Sequence, residues 1–322
     1  MKKSILLVSA FALATGAASA QNNQSNVLQE GISNQATVQQ IGSSNSALIE
    51  QTKYGSAPTE YNVATISQTG NHNTAKLVQE AKVVSNSASI SQDGNDNSAK
   101  QTQGYGAYSN SAIIEQNGNS NSATQSQASS TESKTENVAI THQEGNYNVA
   151  VQYQFNGSYN TAEVSQYGDN NNLFQLQDGF SNYATIEQIG NNNTADQRQY
   201  EGEHSAIVSQ TGNGNNHIQD QNTRTLRNTA TAVAVGDDNY GYQLQASAGN
   251  ASEIYQTGDN NYATSVQAGL AFYEVGNNYN QTVQTGDYNR AETQQNGMNN
   301  ASSIMQHGSS NTATVTQYGI SF

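Results

Sequence analysis

The chain of 322 residues has no cysteine, no tryptophan and a single proline, Pro58, and only 11% of its residues are charged. Without cysteine there are no disulfide staples and no thiolate chemistry or cysteine-ligated metal. Positive charge is scarce as well. Eleven Lys and Arg stand against 25 Asp and Glu, for a net charge of −14. That balance argues against a basic patch for nucleic acid or anionic lipid. Hydrophobic residues make up only 34% of the chain and aromatic ones 7%. The remainder is dominated by Asn, Gln, Ser, Thr and Gly, a composition that stays disordered unless a regular period orders it.

Long apolar runs are missing too, apart from one at the start. Residues 1–20 read MKKSILLVSAFALATGAASA. Lys2 and Lys3 make a positive start, Ile5 to Ala14 an apolar stretch, and Ala18-Ser19-Ala20 a small-residue cleavage site. This is the pattern of a secretory signal peptide, too short to span a membrane, with cleavage between Ala20 and Gln21. Loss of Lys2 and Lys3 takes the charge of −14 to −16. An exported chain without cysteine must draw its stability from backbone pairing and packing.

What is present is a repeat. Aligned on asparagine, the chain shows 25 arms of the form N-x-A-x-Φ-x-Q, where Φ is usually aliphatic, the first at Asn23 and the last at Asn311. The first position is Asn in 24 arms, with His204 the exception; the seventh is Gln in 24, with Ala234 the exception. From Asn34 onward the arms pair into twelve units, the second arm of each starting 11 residues after the first. Each first arm is followed by a glycine: Gly42, Gly70, Gly94, Gly118, Gly145, Gly168, Gly190, Gly212, Gly236, Gly258, Gly286 and Gly308. Glycine supplies a backbone angle that other residues avoid, so the turn inside a unit is short and uniform. The turn between units varies, and it expands at 52–61, 128–136 and 268–277.

The arms alternate with period two, which reads as strand, with Asn, Ala, the aliphatic residue and Gln on one side. Two strands and two turns in about 22 residues make one coil of an all-β solenoid. The expected architecture is a signal peptide at 1–20, a segment at 21–33 with a lone half repeat, and a solenoid of twelve coils over 34–322. At about 4.8 Å per coil the rod measures roughly 55–60 Å. Its inner face carries amides, which are costly to bury unless hydrogen-bonded. Stacking answers this, because each amide lies over the same residue one coil away. No charged residue occupies an inward position in any arm; charges such as Glu163, Glu187, Lys76 and Arg198 face outward, and Asp169, Asp259 and Asp287 lie in turns. The fifth position is mostly aliphatic in first arms, as in Ile66, Ile114 and Ile186. In the second arms of units three to nine it is Gln101, Gln125, Gln152, Gln175, Gln197, Gln219 and Gln243. One sheet should carry an aliphatic seam, the other two adjacent glutamine ladders.

Residues 300–317 read NASSIMQHGSSNTATVTQ and residues 62–79 read NVATISQTGNHNTAKLVQ. Both resemble the curlin repeat, S-x-x-x-x-x-Q-x-G-x-x-N-x-A-x-x-x-Q, with Asn in place of the first Ser. The resemblance spans about residues 23–318. It departs from the family in having more repeats, three expanded loops and a very short segment before the first arm. It implies a subunit of curli amyloid fibres in the biofilm matrix, secreted to the cell surface and supporting adhesion and aggregation. It also implies partners: a nucleator subunit, periplasmic chaperones and an outer-membrane secretion pore.

Neither end of the repeat carries a helix cap, and open strand edges template another chain. The expected mode of assembly is head-to-tail stacking through the inward amides of the first and last units: Asn34, Gln40, Asn45, Gln51, Asn300, Gln306, Asn311 and Gln317. The main partner is then a second copy of the chain itself. Turn acids such as Asp93, Asp169 and Asp259 read either as gatekeepers that delay assembly or as plain turn formers. No nucleophile motif or phosphate loop is present, the five histidines do not stack, and no catalytic, cofactor or metal residues are assigned. His204 and His217 replace an inward Asn and Ala in one unit, which reads as a local packing variation or a pH-sensitive coil. The rival functions are a non-polymerising surface adhesin or scaffold solenoid, and an ice-binding solenoid, which would want a flat outward ladder of threonine rather than this mixed face.

Overall fold

The computed structural model describes residues 22–52, 59–80, 83–104, 106–129, 135–222, 227–269 and 276–319. The leader with Ala20 and Gln21 lies outside the described residues, as do parts of the three expanded loops.

Every arm forms a strand, and the strands assemble into two long parallel sheets of twelve and thirteen strands. First arms make up the smaller sheet. Second arms, together with the lone half repeat, make up the larger. There are therefore twelve full coils separated by eleven steps. Coil 1 consists of Gln35–Ser43 and Ser46–Thr52, and coil 12 of Ala301–His307 and Thr312–Tyr318. The half repeat forms a leading strand, Gln24–Gln29, which pairs with Ser46–Thr52.

Register follows the repeat. Ala184 lies between Ala162 and Ala206, and Gln188 between Gln166 and Gln210. A slip of one residue would turn every amide and alanine outward, so the inward pattern holds the register. The strand Tyr183–Ile189 shows this alternation, with Ala184, Ile186 and Gln188 buried and their neighbours exposed or half-buried.

Each of the twelve turn glycines has a positive φ, as at Gly190 (116°). A Cβ on Gly190 would lie 2.0 Å from the carbonyl oxygen of Gly212 in the next coil. Glycine is thus needed for its backbone angle and for the space between coils. The residue just before most arms is also left-handed, including Tyr61 (55°), Tyr147 (58°) and Tyr288 (56°). These side chains are uncommon there and cost about 1–2 kcal/mol each. Asparagines such as Asn170, Asn192 and Asn260 tolerate this conformation beside the turn glycine, as the sequence leads one to expect, whereas the tyrosines carry no local signal for it.

The aliphatic seam runs through the first-arm sheet as expected. It comprises Ile66, Ile90 and Ile114, then Val164, Ile186 and Val208. Leu77 and Ile49 extend it into the opposite sheet at the first coils. Between the two clusters Thr141 takes the seam position. It donates to Gln152 Oε1 at 2.7 Å and accepts from Gln125 Nε2 at 3.0 Å. A hydroxyl fits there because it joins the glutamine ladder facing it.

Candidate functional site: the amide ladders and their ends

Three kinds of ladder run along the solenoid axis. In the first, the arm's seventh-position glutamine donates from Nε2 to Oε1 of the glutamine one coil closer to the C-terminus. Gln166 to Gln188 and Gln188 to Gln210 measure 2.9 and 2.8 Å. The second N–H of the same amide goes across the core to a backbone carbonyl, as from Gln199 to Tyr183 O at 2.9 Å. That second bond fixes which amide atom is nitrogen, so the ladder has a direction. All glutamine-to-glutamine bonds point the same way, from Gln29 to Gln51 at one end and Gln295 to Gln317 at the other.

In the second kind, the asparagine that opens each arm accepts the backbone N–H of its counterpart in the next coil. Asn193 Oδ1 takes the N–H of Asn215 at 3.0 Å, and Asn193 Nδ2 donates to Gly212 O at 2.8 Å. The third kind is the extra glutamine file of the middle coils, Gln101 through Gln243, with links such as Gln175 to Gln197 and Gln197 to Gln219, both 2.9 Å. It has closed ends. Below it lies Leu77, and Gln101 Oε1 is buried without a hydrogen bond. Above it Gln243 turns to Ser252, its carbonyl at 2.9 Å.

The turns carry a further row. Asp169 Oδ1 accepts the backbone N–H of Asn146 at 2.8 Å, and Asp259 Oδ1 that of Asp237 at 2.8 Å. Both act as turn acceptors. Asp93 is exposed on its strand.

His204 and His217 are both buried in coil 8. His204 copies asparagine. Its Nδ1 accepts the N–H of Asn228 at 3.1 Å, as Oδ1 would, and its Nε2 lies 2.9 Å from Tyr200 O. That carbonyl accepts a hydrogen bond, so the neutral ring carries its proton on Nε2. His217 stands at a break. The glutamine ladder lacks a rung at Ala234, and Gln210 Nε2 instead meets His217 Nδ1 at 3.2 Å. Beyond it, His217 Nε2 and Oε1 of Gln256, the next glutamine of that file, are each buried without a hydrogen-bond partner. The ring needs room, which Gly241 supplies where most arms have alanine; a Cβ there would lie 2.4 Å from His217 Cδ2. Burial lowers the His217 pKa from 6.5 to about 4.

The eight residues proposed for the ends divide into two groups. Asn300, Gln306, Asn311 and Gln317 lie in coil 12. Gln306 and Gln317 each donate one N–H to a backbone carbonyl, Arg290 O and Ala301 O, and find no glutamine beyond them among the described residues. Asn34 and Gln40 lie on the opposite edge. Gln40 donates to Gln68 at 2.8 Å and accepts from no glutamine among the described residues. Asn45 and Gln51 are not at an edge. The leading strand covers them: Asn23 Oδ1 takes the N–H of Asn45 at 2.9 Å, and Gln29 donates to Gln51 at 2.7 Å. Asn23 and Gln29 are the outermost amides on that side of the larger sheet. The lone arm was legible in the sequence, but its place over Gln51 was not.

Among the described residues no cluster of three or more His, Cys, Asp or Glu could hold a metal, and no helix is long and apolar enough to cross a membrane. A parallel solenoid with a laddered amide core, its end strands unpaired on one side among the described residues, is a repeat architecture of the structural kind. The family model of the Curlin associated repeat matches residues 135–168, 168–200 and 286–319, which fall on coils 5 to 7 and 11 to 12. The chain carries the Curlin associated repeat over these residues. No curated protein matches it.

Proposed function

We propose that this protein is the subunit of a curli-type fibre, growing by head-to-tail stacking of solenoids into a continuous cross-β ladder. One observation carries the reading: the glutamine ladders are directional and end in complementary groups. Gln306 and Gln317 offer N–H donors at the C-terminal face, and Gln40 and Gln29 offer Oε1 acceptors at the N-terminal face. Head-to-tail contact joins donor to acceptor. Head-to-head contact sets acceptor against acceptor. Open edges without such matching are an aggregation hazard; open edges with it are a template.

On this reading the fibre is extracellular and lies at the cell surface, exported by way of the leader at 1–20. The family resemblance adds a nucleator, chaperones and an outer-membrane pore as partners. The role is structural, in adhesion and matrix cohesion, with no catalysis.

The test is to purify the chain without its leader and incubate it at neutral pH. Fibres with a cross-β diffraction pattern support the reading, and a lasting soluble monomer favours the scaffold alternative. Gln40→Ala with Gln317→Ala should slow growth more than the same pair of changes in a middle coil. Equal slowing would refute templating by the ends.

A further inference from the structure

We propose that the leading strand, Gln24–Gln29, is an exchangeable cap that occupies the binding site for strand Thr312–Tyr318 of a second copy. The proposal rests on the head-to-tail reading above and specifies the joint, in which Gln51 replaces Gln29 as the acceptor for Gln317.

The argument begins with a count. Among the described residues the larger sheet has thirteen strands and the smaller has twelve. The chain passes alternately from one sheet to the other, starting and finishing in the larger. Consider a second copy added to coil 12 with its own leading strand in place. That strand would stack on Thr312–Tyr318. The incoming Gln35–Ser43 would then sit one step too far from Ala301–His307, because it follows the leading strand in the chain. A slot one strand wide, about 4.8 Å, would open in the smaller sheet. Two buried strand edges would face it with unpaired N–H and C=O groups, which is costly.

Both sheets close without a slot if one of the two end strands moves away, and the poorer pairing of the incoming leading strand makes it the one to go. Thr312–Tyr318 then lies on Ser46–Thr52, and Ala301–His307 lies on Gln35–Ser43. One strand pairing is given up and two are gained.

The end residues match this exchange. The inward positions of the leading strand are Asn23, Ser25, Val27 and Gln29; those of the last strand are Asn311, Ala313, Val315 and Gln317. Asn311 Oδ1 can take over the N–H of Asn45, now held by Asn23 at 2.9 Å. Gln317 can donate to Gln51, now served by Gln29 at 2.7 Å. The carbonyl of Thr312 replaces that of Gln24, which accepts from Gln40 at 3.0 Å. In the smaller sheet Gln306 meets Gln40 and Asn300 meets Asn34.

The cap is also the poorer copy. It places Ser25 over Ala47, where Ala313 would restore the alanine file. Its inward side chains are exposed or half-buried, whereas Ala47, Ile49 and Gln51 beneath it are buried. It leaves Leu28 exposed on the outer face.

The cysteine-free sequence makes the test direct. Gln24 and Ser46 are register partners on the outer face, so Gln24→Cys with Ser46→Cys locks the cap under oxidation. Seeded growth should fall by about tenfold or more in the locked chain, because a whole strand pairing is withheld from each joint, and recover on reduction. A second pair reports the joint itself. Ser46→Cys with Thr312→Cys should form disulfides between copies in fibres. Gln24→Cys with Thr312→Cys should not; if that pair links and the first does not, the cap stays in place and the proposal is wrong. Locked chains growing at the unlocked rate also overturn it, while the fibre reading stands. If the unmodified chain forms no fibres at all, the fibre reading fails, and the proposal with it.

Discussion

Gln210 donates its side-chain amide to Nδ1 of His217 over 3.2 Å, across the core from one sheet to the other. This bond gives the Gln210 amide a partner where the rung of the glutamine ladder is missing at Ala234. Three departures from the repeat, His217, Ala234 and Gly241, form one compensating set.

Acid should weaken coil 8. His217 is neutral in the folded chain, with a pKa lowered from 6.5 to about 4 by burial. Between those values the unfolded chain binds the proton and the folded one does not. Its stabilising contribution is therefore complete above about pH 6.5 and is lost as the pH falls towards 4, a change of about 3 kcal/mol. Denaturant unfolding of the monomer across this range measures it. The triple variant His217→Ala, Ala234→Gln, Gly241→Ala restores the repeat and should flatten this part of the profile.

Gly241→Ala alone should destabilise by about 1–3 kcal/mol, since the added methyl collides with the His217 ring. Adding His217→Ala should recover part of that loss. A double-mutant cycle in chemical denaturation reads the coupling, and additive effects would contradict the contact.

The turn glycines separate monomer from fibre. Gly190→Ala forces a Cβ to 2.0 Å from the next coil's carbonyl and should cost the monomer about 2–4 kcal/mol. At Gly308 the nearest atom to such a Cβ is Asn311 Nδ2 at 3.7 Å, because no further coil lies over it among the described residues. Gly308→Ala should therefore cost the monomer less, only the strain of its φ of 97°. In a head-to-tail fibre Gly42 of the next copy closes that space. Seeded elongation of Gly308→Ala should then be strongly impaired despite a near-normal monomer.

Gln197→Leu should cost about 2–4 kcal/mol, because it strands Gln175 Nε2 and Gln219 Oε1 in a dry core. Hydrogen exchange should localise the opening to coils 6 to 8. Protection unchanged there would mean that the middle file is not structural.

Much of this was legible in the arms. The alternation around Ile186 and Gln188 placed both on the inner face, and the choice of Ile186 against Gln197 assigned the seam to one sheet and the extra file to the other. The left-handed tyrosines before the arms were not legible. Tyr147 and Tyr288 have no local preference for that conformation, and the stacked turns impose it. Nor was the coupling of His217 to Ala234 and Gly241. The three lie far enough apart in sequence that only adjacent coils bring them together.

The sequence by itself determined the period, the strand parity and which side chains face inward, because side-chain alternation in a strand is a local property of the backbone. Tertiary structure alone decided the direction of the ladders, the contact of Gln210 with His217 at coil 8 and the position of Gln24–Gln29 over Ser46–Thr52. Each depends on which coil stands next. An amide acquires a direction only from the carbonyl across the core, and an edge is open or covered only in the stacked molecule.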